Sequence, residues 1–169
     1  GKGVFENCKS LVSVTLNNAI TAPKGTVIKS YFEWFDGCDN FAGNVTIKEL
    51  KGRDLKTVNY LAAAGIKNIH VENLAVNPDD YQTTLTYNNT DLSGLAADVN
   101  IYFDGNTYAD IVEYLKYYTK TWSANIYDKD GNKIICAQDS GIVASVENAG
   151  GTVIFTNTVT SPAADPDDD

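Results

Sequence analysis

The sequence predicts an α/β repeat protein, a short solenoid in which one parallel sheet of stacked strands is followed by a C-terminal helix and a β-hairpin cap. The main observation is an apolar–polar–apolar strand pattern that recurs along the 169-residue chain. It occurs at Val14-Thr15-Leu16, Val45-Thr46-Ile47, Ile69-His70-Val71, Val99-Asn100-Ile101 and Ala124-Asn125-Ile126. The final apolar residues are 31, 24, 30 and 25 residues apart, a spacing typical of solenoids with loop insertions. One such unit cannot bury its apolar side alone, so the units are expected to stack.

Two further observations concern the residues that precede these strands. An apolar anchor comes before each strand, at Leu11, Phe41, Ile66, Leu95 and Trp122. The first two units also share a Phe-x-x-Cys lead-in, from Phe5 to Cys8 and from Phe35 to Cys38. Side chains alternate along a strand, so the apolar ones are predicted to face a core and the polar ones to face away from it.

The segment from Gly3 to Leu16 resembles the BspA-type leucine-rich repeat of bacterial surface proteins, whose pattern is roughly Ala-Phe-x-x-Cys-x-x-Leu-x-x-Ile-x-Ile. The stretch from Val99 to Thr107, which runs into a predicted helix, is similar to a variant found near the end of such arrays. The resemblance implies a curved solenoid on an extracellular or cell-surface protein, often an adhesin or a spacer between modules. The chain departs from the family in its irregular gaps and in lacking the Ile-Pro that usually follows the strand.

The residues after the repeats predict a helix and a hairpin. Thr107 to Tyr118 is predicted to be helical, with Thr107 and Asp110 forming the cap. The apolar stripe of this helix follows helical spacing and comprises Tyr108, Ile111, Val112, Leu115 and Tyr118. Tyr114 and Tyr117 are predicted to lie off the stripe. Residues 124–135 predict a β-hairpin around an Asp-Gly turn.

Two further strands, over residues 142–146 and 152–159, would close the open end of the sheet. From residue 160 onward proline, alanine and aspartate dominate, which is the composition of a linker. The predicted organisation is therefore a solenoid segment over 1–105, a C-terminal cap or small β-rich subdomain over 106–160, and an acidic linker tail over 161–169.

The closing segment, from Gly151 to Thr158, is similar to the last strand of Cna B-type pilin and adhesin domains. That resemblance implies that Asn157 could form an isopeptide bond with a lysine near the start of the domain. No first strand carrying such a lysine is evident in this sequence.

Composition argues against several function classes. The net charge is −9 and arginine occurs once, so binding to nucleic acid or to anionic lipid is not expected. No apolar run approaches the roughly eighteen residues of a membrane span. The three cysteines fit no zinc motif, and we predict buried free thiols at Cys8 and Cys38, with a disulfide between them as the alternative. No metal and no cofactor are predicted.

Catalysis is not predicted. His70 is the single histidine; it is predicted to face away from the core, and the chain has no Gly-x-Ser-x-Gly nucleophile elbow. Glu33 and Asp36, beside two aromatic residues, could form a paired-carboxylate cleft, but such pairs are common in an acidic chain. Residues 128–132 alternate oxygen ligands as a calcium loop does, yet the glycine and the distal glutamate of such a loop are misplaced. A tight turn is predicted there.

The outward positions of the strands form the predicted ligand-binding face. The side chains expected to contact the ligand are Thr15, Thr46, His70, Asn100, Tyr102, Asn125 and Tyr127, and a wider row adds Ser13, Asn44, Asn68, Asp98 and Ser123. Hydroxyls, amides and tyrosines on a rigid sheet suit a glycan or an extended peptide, although exposed strands favour Thr, Asn and Tyr in any case.

The predicted function is that of an extracellular binding or adhesion module without enzymatic activity. Its partner would be a host or neighbouring-cell protein or a glycan, with no membrane insertion. The alternatives are a passive spacer or subunit of a surface assembly and, third, a hydrolase. The oligomeric state is left open.

Overall fold

The computed structural model describes residues 4–20, 34–41, 43–51, 54–75, 92–118, 122–138 and 142–159. Within these ranges the chain forms an eight-stranded sheet, a two-stranded sheet and two α-helices. The strands are β1 (Val14–Leu16), β2 (Asn44–Ile47), β3 (Leu50–Lys51), β4 (Asn68–Val71), β5 (Leu74–Ala75), β6 (Asn100–Phe103), β7 (Asn125–Tyr127), β8 (Lys133–Gln138), β9 (Ile142–Glu147) and β10 (Val153–Val159). The helices are α1 (Lys56–Ala63) and α2 (Tyr108–Tyr118), with a 3-10 turn at Leu92–Gly94. Neither of these helices has the length and hydropathy needed to cross a bilayer.

The large sheet has the strand order β1-β2-β4-β6-β7-β8-β9-β10. Its first five strands pair in parallel and follow one another in chain order. From β7 onward the pairing is antiparallel. The predicted parallel sheet is thus confirmed for these five strands. Parallel pairing continues through β7, beyond residue 105, and the domain boundaries drawn from the sequence stay predictions.

The register corrects the alignment of the last two repeat strands by two residues. Ile69 pairs with Ile101, and Val71 pairs with Phe103, whereas the sequence pattern places Ile101 at the position of Val71. Ile101 in turn pairs with Ile126. Ile101 and Phe103 are both apolar and alternate with polar residues, so the pattern fits either register. The spacing between β4 and β6 is therefore 32 residues rather than the 30 that the pattern implies.

The inward side chains of the strands share one core with the two helices. In the parallel strands of the large sheet the completely buried inward residues are Val45, Ile47, Ile69, Val71, Ile101, Phe103 and Ile126. Helix α1 adds Val58 and Leu61 to this core, and α2 adds Ile111 and Leu115. Because strand side chains alternate between the two faces, the polar positions of the same strands lie on the opposite face of the sheet. This second face is called the outward face below.

Helix α2 begins as its capping sequence predicts. Thr107 Oγ1 accepts a hydrogen bond from the Asp110 N–H, and the Asp110 carboxylate accepts one from the Thr107 N–H, both at 3.3 Å. The prediction that Tyr114 lies off the buried stripe is wrong, because its side chain is completely buried. Tyr114 lies three residues after Ile111 and beside Leu115, so the buried side of α2 is wider than the predicted row. Helix α1 was not predicted.

The two Phe-x-x-Cys lead-ins fold into the same turn and stack on each other. In each turn the cysteine N–H donates to the phenylalanine C=O at 3.1 Å. The rings of Phe5 and Phe35 stack with their centroids 5.4 Å apart, and the Cys38 thiol donates to the Phe5 C=O at 2.8 Å. Both cysteines are free, but only Cys38 is buried. The prediction of a buried thiol is therefore wrong for Cys8, which no neighbouring unit covers among the described residues.

The predicted hairpin is confirmed by the antiparallel pairing of Ile126 with Ile134. Its turn is organised by Asp128, whose carboxylate Oδ1 accepts hydrogen bonds from the N–H groups of Asp130 and Asn132 at 2.9 and 2.8 Å. The tight turn predicted for these residues is thus present. The two further predicted strands are also confirmed as β9 and β10, which pair in antiparallel orientation.

A buried asparagine extends the small sheet. Strands β3 and β5 pair in parallel, with Leu50 beside Leu74. The Asn106 side chain then bonds to Leu74 as a further strand would. Its Oδ1 accepts from the Leu74 N–H and its Nδ2 donates to the Leu74 C=O, both at 2.9 Å. Asn106 is 6% exposed, so it satisfies buried backbone groups that water cannot reach.

Gly105 lies where two segments of backbone are in close contact. A Cβ atom at this position would collide with the carbonyl oxygen of Glu72. We expect Gly105→Ala to lower the free energy of unfolding by about 2 kcal/mol in chemical denaturation, because the backbone must shift to accept the methyl group. Gly94→Ala is the matched control, since nothing lies within 4 Å of its Cβ position. Equal losses in the two variants would contradict the close contact.

Candidate binding face

The central positions of the five parallel strands align into one row across the outward face. The register pairs Thr15 with Thr46, Thr46 with His70, His70 with Tyr102, and Tyr102 with Tyr127. These five residues are called the middle row. Thr15 is exposed and the other four are half-buried. The row therefore places predicted contact residues from all five strands on one continuous surface.

The last three members of the middle row form a continuous stack of rings. The centroids of His70 and Tyr102 are 4.5 Å apart with an interplanar angle of 12°. Those of Tyr102 and Tyr127 are 5.1 Å apart with an angle of 11°. Neighbouring strands lie about 4.8 Å apart, so equivalent positions bring flat rings into face contact. Each such pair contributes about 0.5–1.5 kcal/mol beyond the burial of its area.

This stacking decides which parts of the rings a ligand can reach. His70 and Tyr127 lie against the two opposite faces of Tyr102. Strand side chains stand roughly perpendicular to the sheet, so the ring edges and the two phenol hydroxyls face solvent. The stack therefore offers a ligand hydrogen-bonding groups and ring edges, and it leaves no free face on Tyr102.

An acidic residue outside the middle row fixes the orientation of the histidine ring. Nδ1 of His70 lies 3.0 Å from Oδ2 of Asp104, which follows the end of β6. In the neutral tautomer with a proton on Nδ1, the Nδ1–H group donates a hydrogen bond to the carboxylate, and Nε2 is a hydrogen-bond acceptor. Both side chains are partly exposed, so we expect this contact to orient the ring more than to stabilise the fold.

A second line of polar side chains, called the amide ladder, runs beside the middle row. It consists of Asn68, Asn100 and Asn125, each two residues before a ring of the stack. Asn125 Nδ2 donates to Asn100 Oδ1, and Asn100 Nδ2 donates to Asn68 Oδ1, both at 2.9 Å. Asn125 Nδ2 also donates to the Ala97 C=O at 2.9 Å. These bonds hold the three amides in one orientation.

The hydroxyl of Tyr102 is held in its neutral form. Burial raises the pKa of Tyr102 above its ordinary value, and Tyr127 and Asp104 raise it further. A raised pKa means that the folded state favours the protonated phenol. The resulting stabilisation is present below the unfolded pKa of about 10 and is lost as the pH rises through the folded pKa. At neutral pH this hydroxyl can therefore both donate and accept hydrogen bonds.

All seven predicted contact residues lie on the outward face, although in two lines. Thr15, Thr46, His70, Tyr102 and Tyr127 form the middle row, and Asn100 and Asn125 belong to the amide ladder. In the wider predicted row, Ser13 and Ser123 are exposed and flank the strands. Asp98 forms an ion pair with Lys67 at 3.0 Å. The role of these residues as ligand contacts stays a prediction.

Three charged residues of this face were not predicted from the sequence. Asp104 lies two positions after Tyr102, and the strand period of two would have placed it on the same side. Lys133 pairs with Tyr127 across the hairpin, so it extends the middle row onto β8. The register of the predicted hairpin, had it been assigned, would have shown this. Glu147 on β9 follows as the partner of Lys133.

The other candidate sites do not combine into a second centre. Of the two carboxylates considered for a cleft and not favoured, Asp36 is exposed and Glu33 lies outside the described residues. The side chain of Asn157, for which the pilin-type resemblance implies an isopeptide bond, lies outside them as well. The carboxylate of Asp128 is buried and engaged by the hairpin turn. In the described part of the chain no three His, Cys, Asp or Glu side chains converge as metal ligands would.

No family model, no curated protein and no solved structure matches the chain. The function is therefore inferred from the geometry of the outward face. The middle row and the amide ladder carry that inference, because stacking and hydrogen bonds align their side chains across neighbouring parallel strands.

Proposed function

We propose that the chain is a non-enzymatic binding module of an extracellular bacterial surface protein, built from leucine-rich-type repeats. It recognises a protein or a glycan of a host or neighbouring cell through the outward face. The observation that carries this proposal is the in-register alignment of the middle row beside the amide ladder. The resemblance of residues 3–16 to BspA-type repeats supports the repeat architecture and the extracellular location.

The outward face is already ordered before a ligand arrives. The rings of His70, Tyr102 and Tyr127 are immobilised by stacking, and the three amides by their mutual hydrogen bonds. Ordering a flexible side chain on binding opposes association by about 0.5–1.5 kcal/mol. Because these contacts already restrict the side chains in the free protein, each new hydrogen bond to a ligand contributes more to affinity.

The geometry favours an extended ligand that lies across the strands. Hydroxyl edges and amides repeat at each strand along the two lines, so a chain with regularly spaced polar groups can contact several strands at once. A glycan meets this requirement with its hydroxyls, and an extended peptide meets it with its backbone N–H and C=O groups.

The test is a binding screen of the purified chain against a glycan array and extracellular-matrix proteins. It is run beside a variant that carries Asn100→Ala, Tyr102→Ala, Asn125→Ala and Tyr127→Ala. We expect saturable binding by the unchanged chain and a loss of roughly a hundredfold or more in affinity in the variant, because tyrosines are common energetic anchors of interfaces.

A control variant with Lys51→Ala and Lys56→Ala changes the small sheet and α1, which lie away from the outward face. It should keep the affinity of the unchanged chain, and circular dichroism should show that all three proteins are folded. Binding that survives the four alanine substitutions would move the site elsewhere. Absence of any saturable binding would contradict the proposal and favour a spacer.

The second candidate function, a passive spacer or subunit of a surface assembly, is favoured by the last strand. Among the described strands β10 pairs with β9 alone, and Val153 and Ile154 are 52% and 45% exposed. A strand edge with exposed apolar side chains can pair with another chain. Assembly that depends on these two residues, in a protein without ligand binding, would support this second function.

A further inference from the structure

The first two units allow a comparison between a covered and an uncovered copy of the same structure. Their Phe-x-x-Cys turns share two backbone hydrogen bonds, from Cys8 to Phe5 and from Leu11 to Cys8 in the first turn and at the equivalent residues of the second. The equivalent residues Asn7 and Gly37 both adopt positive φ, at 59° and 72°. Strands β1 and β2 follow the turns and pair in parallel. We call residues 4–16 the first unit and residues 34–47 the second. The second unit contacts the first through one side, and the free side of the first unit has the same backbone arrangement.

Four apolar positions are more exposed in the first unit than in the second. The pairs are Val4 (52%) and Trp34 (7%), exposed Cys8 and Cys38 (8%), Val14 (9%) and Val45 (0%), and half-buried Leu16 and Ile47 (0%). The second unit is buried because the first unit covers it. In the first unit Val4 and Cys8 are exposed, Leu16 is half-buried and Val14 is slightly more exposed than Val45, because no described residue covers that side. The buried residues at the same positions of the second unit indicate that a neighbouring unit would cover those of the first.

The backbone carbonyl groups of the two turns also differ in whether a neighbouring unit donates hydrogen bonds to them. The N–H groups of Phe5 and Asn7 donate to the C=O groups of Trp34 and Asp36, at 3.1 and 2.7 Å. The equivalent acceptors of the first turn are the two carbonyl groups just before Phe5 and Asn7. Neither has a backbone donor among the described residues. A donor pair spaced like that of the first turn would satisfy both.

The thiols of Cys8 and Cys38 differ in the same way as the carbonyl groups. The Cys38 thiol donates to the Phe5 C=O across the junction between the units. Cys8 holds the equivalent position in the first turn and has no such acceptor within the described residues. We infer that the free side of β1 and its turn is an interface for one more unit with a Phe-x-x-Cys turn and a parallel strand. The apolar positions, the free carbonyls and the thiol all match that occupant.

A second copy of this chain does not provide the required surface. The free side of the first unit would have to contact the side of another unit that lies toward the next strand. In this chain that is the side of the first unit that contacts β2 and the second turn. At the opposite end of this sheet that side is occupied by the antiparallel strands β8, β9 and β10. Two copies could pair through two β1 edges or through β1 and β10. Neither arrangement would bring a Phe-x-x-Cys turn against the free side of the first turn, so neither would reproduce the junction between the first two units. The occupant is therefore a further repeat unit.

The experiment adds such a unit to the full chain. A second copy of residues 5–34 is inserted directly before Phe5 of the chain, and this copy carries Cys8→Ser. The tryptophan at the end of the copy then precedes Phe5, just as Trp34 precedes Phe35 in the original sequence. Alkylation of the native Cys8 with iodoacetamide is followed by mass spectrometry. We expect Cys8 to react at least about tenfold more slowly than in the original chain, because it becomes accessible only through local opening. The melting temperature should rise by about 2–4 °C or more.

The matched control is the same extension with Val14→Lys and Leu16→Lys in the added copy. It removes the inward side chains that the docked strand needs and should leave Cys8 as reactive as in the original chain. Equal alkylation of Cys8 in the two extensions would overturn the inference, whether the added copy stays unfolded or folds without docking. Protection of Cys8 in the original chain that increases with protein concentration would also overturn it, because a second copy would then be the occupant.

Discussion

Replacement of Phe103 by alanine is expected to lower the free energy of unfolding by about 3–5 kcal/mol, a large fraction of the stability of an ordinary domain. Phe103 is completely buried on β6, beside Val71 and against the core that the helices share. Its removal takes away apolar contacts and leaves a cavity that the packed strands cannot close. Urea denaturation followed by circular dichroism measures the loss.

The neighbouring position on the same strand provides the control. Tyr102 is of similar size but lies on the outward face, where it contacts His70 and Tyr127 through ring stacking. Tyr102→Ala should lower the free energy of unfolding by only about 1–3 kcal/mol, since two stacked pairs are lost but no core cavity forms. Comparable losses for the two substitutions would mean that the assignment of inward and outward faces on β6 is wrong.

Replacement of Asn106 by alanine is expected to lower the free energy of unfolding by about 3 kcal/mol, even though it removes only one small polar group. The substitution leaves the buried N–H and C=O of Leu74 without partners, and each unsatisfied buried group destabilises the fold by about 1–3 kcal/mol. Hydrogen exchange at the Leu74 amide should accelerate at the same time, because its acceptor is lost.

Asn148 is the matched control for this substitution. Its side chain also makes two hydrogen bonds to backbone groups, accepting from the N–H of Gly150 and of Thr152 at 3.0 Å. It is only half-buried, so water can replace the lost acceptor, and Asn148→Ala should change the free energy of unfolding by less than about 1 kcal/mol. If the two asparagines behaved alike, burial would not explain the effect at Asn106.

The strand pattern was sufficient to predict much of the fold, because alternation and turn chemistry are local properties. The five parallel strands, the capped helix α2, the Asp-Gly hairpin and the last two strands all follow from short segments. The register of β6 and β7 was not determined, since Ile101 and Phe103 satisfy the same pattern and only pairing with β4 distinguishes them. The burial of Tyr114 was missed for a related reason, because the width of a buried helix face depends on what packs against it.

The sequence was sufficient to predict that the seven proposed contact residues share one face of the sheet, but not which contacts their side chains make with one another. The period of two places His70, Tyr102 and Tyr127 on one face, and the structure adds that their rings stack and cover one another. The contact between His70 and Asp104 joins β4 to the residue that follows β6, so it depends on the register of the two strands. Asn106 could not be recognised either, because a polar residue that completes a sheet in place of a strand has no pattern of its own.

The central claim is that the outward face binds a ligand through the hydroxyl edges of its stacked rings. It is tested most directly by comparing three proteins on one glycan and matrix-protein array: the unchanged chain, a Tyr102→Ala and Tyr127→Ala variant, and a Tyr102→Phe and Tyr127→Phe variant. We predict at least one saturable ligand that the alanine variant loses and that the phenylalanine variant binds more weakly. Identical binding profiles for the unchanged chain and the alanine variant would contradict the claim.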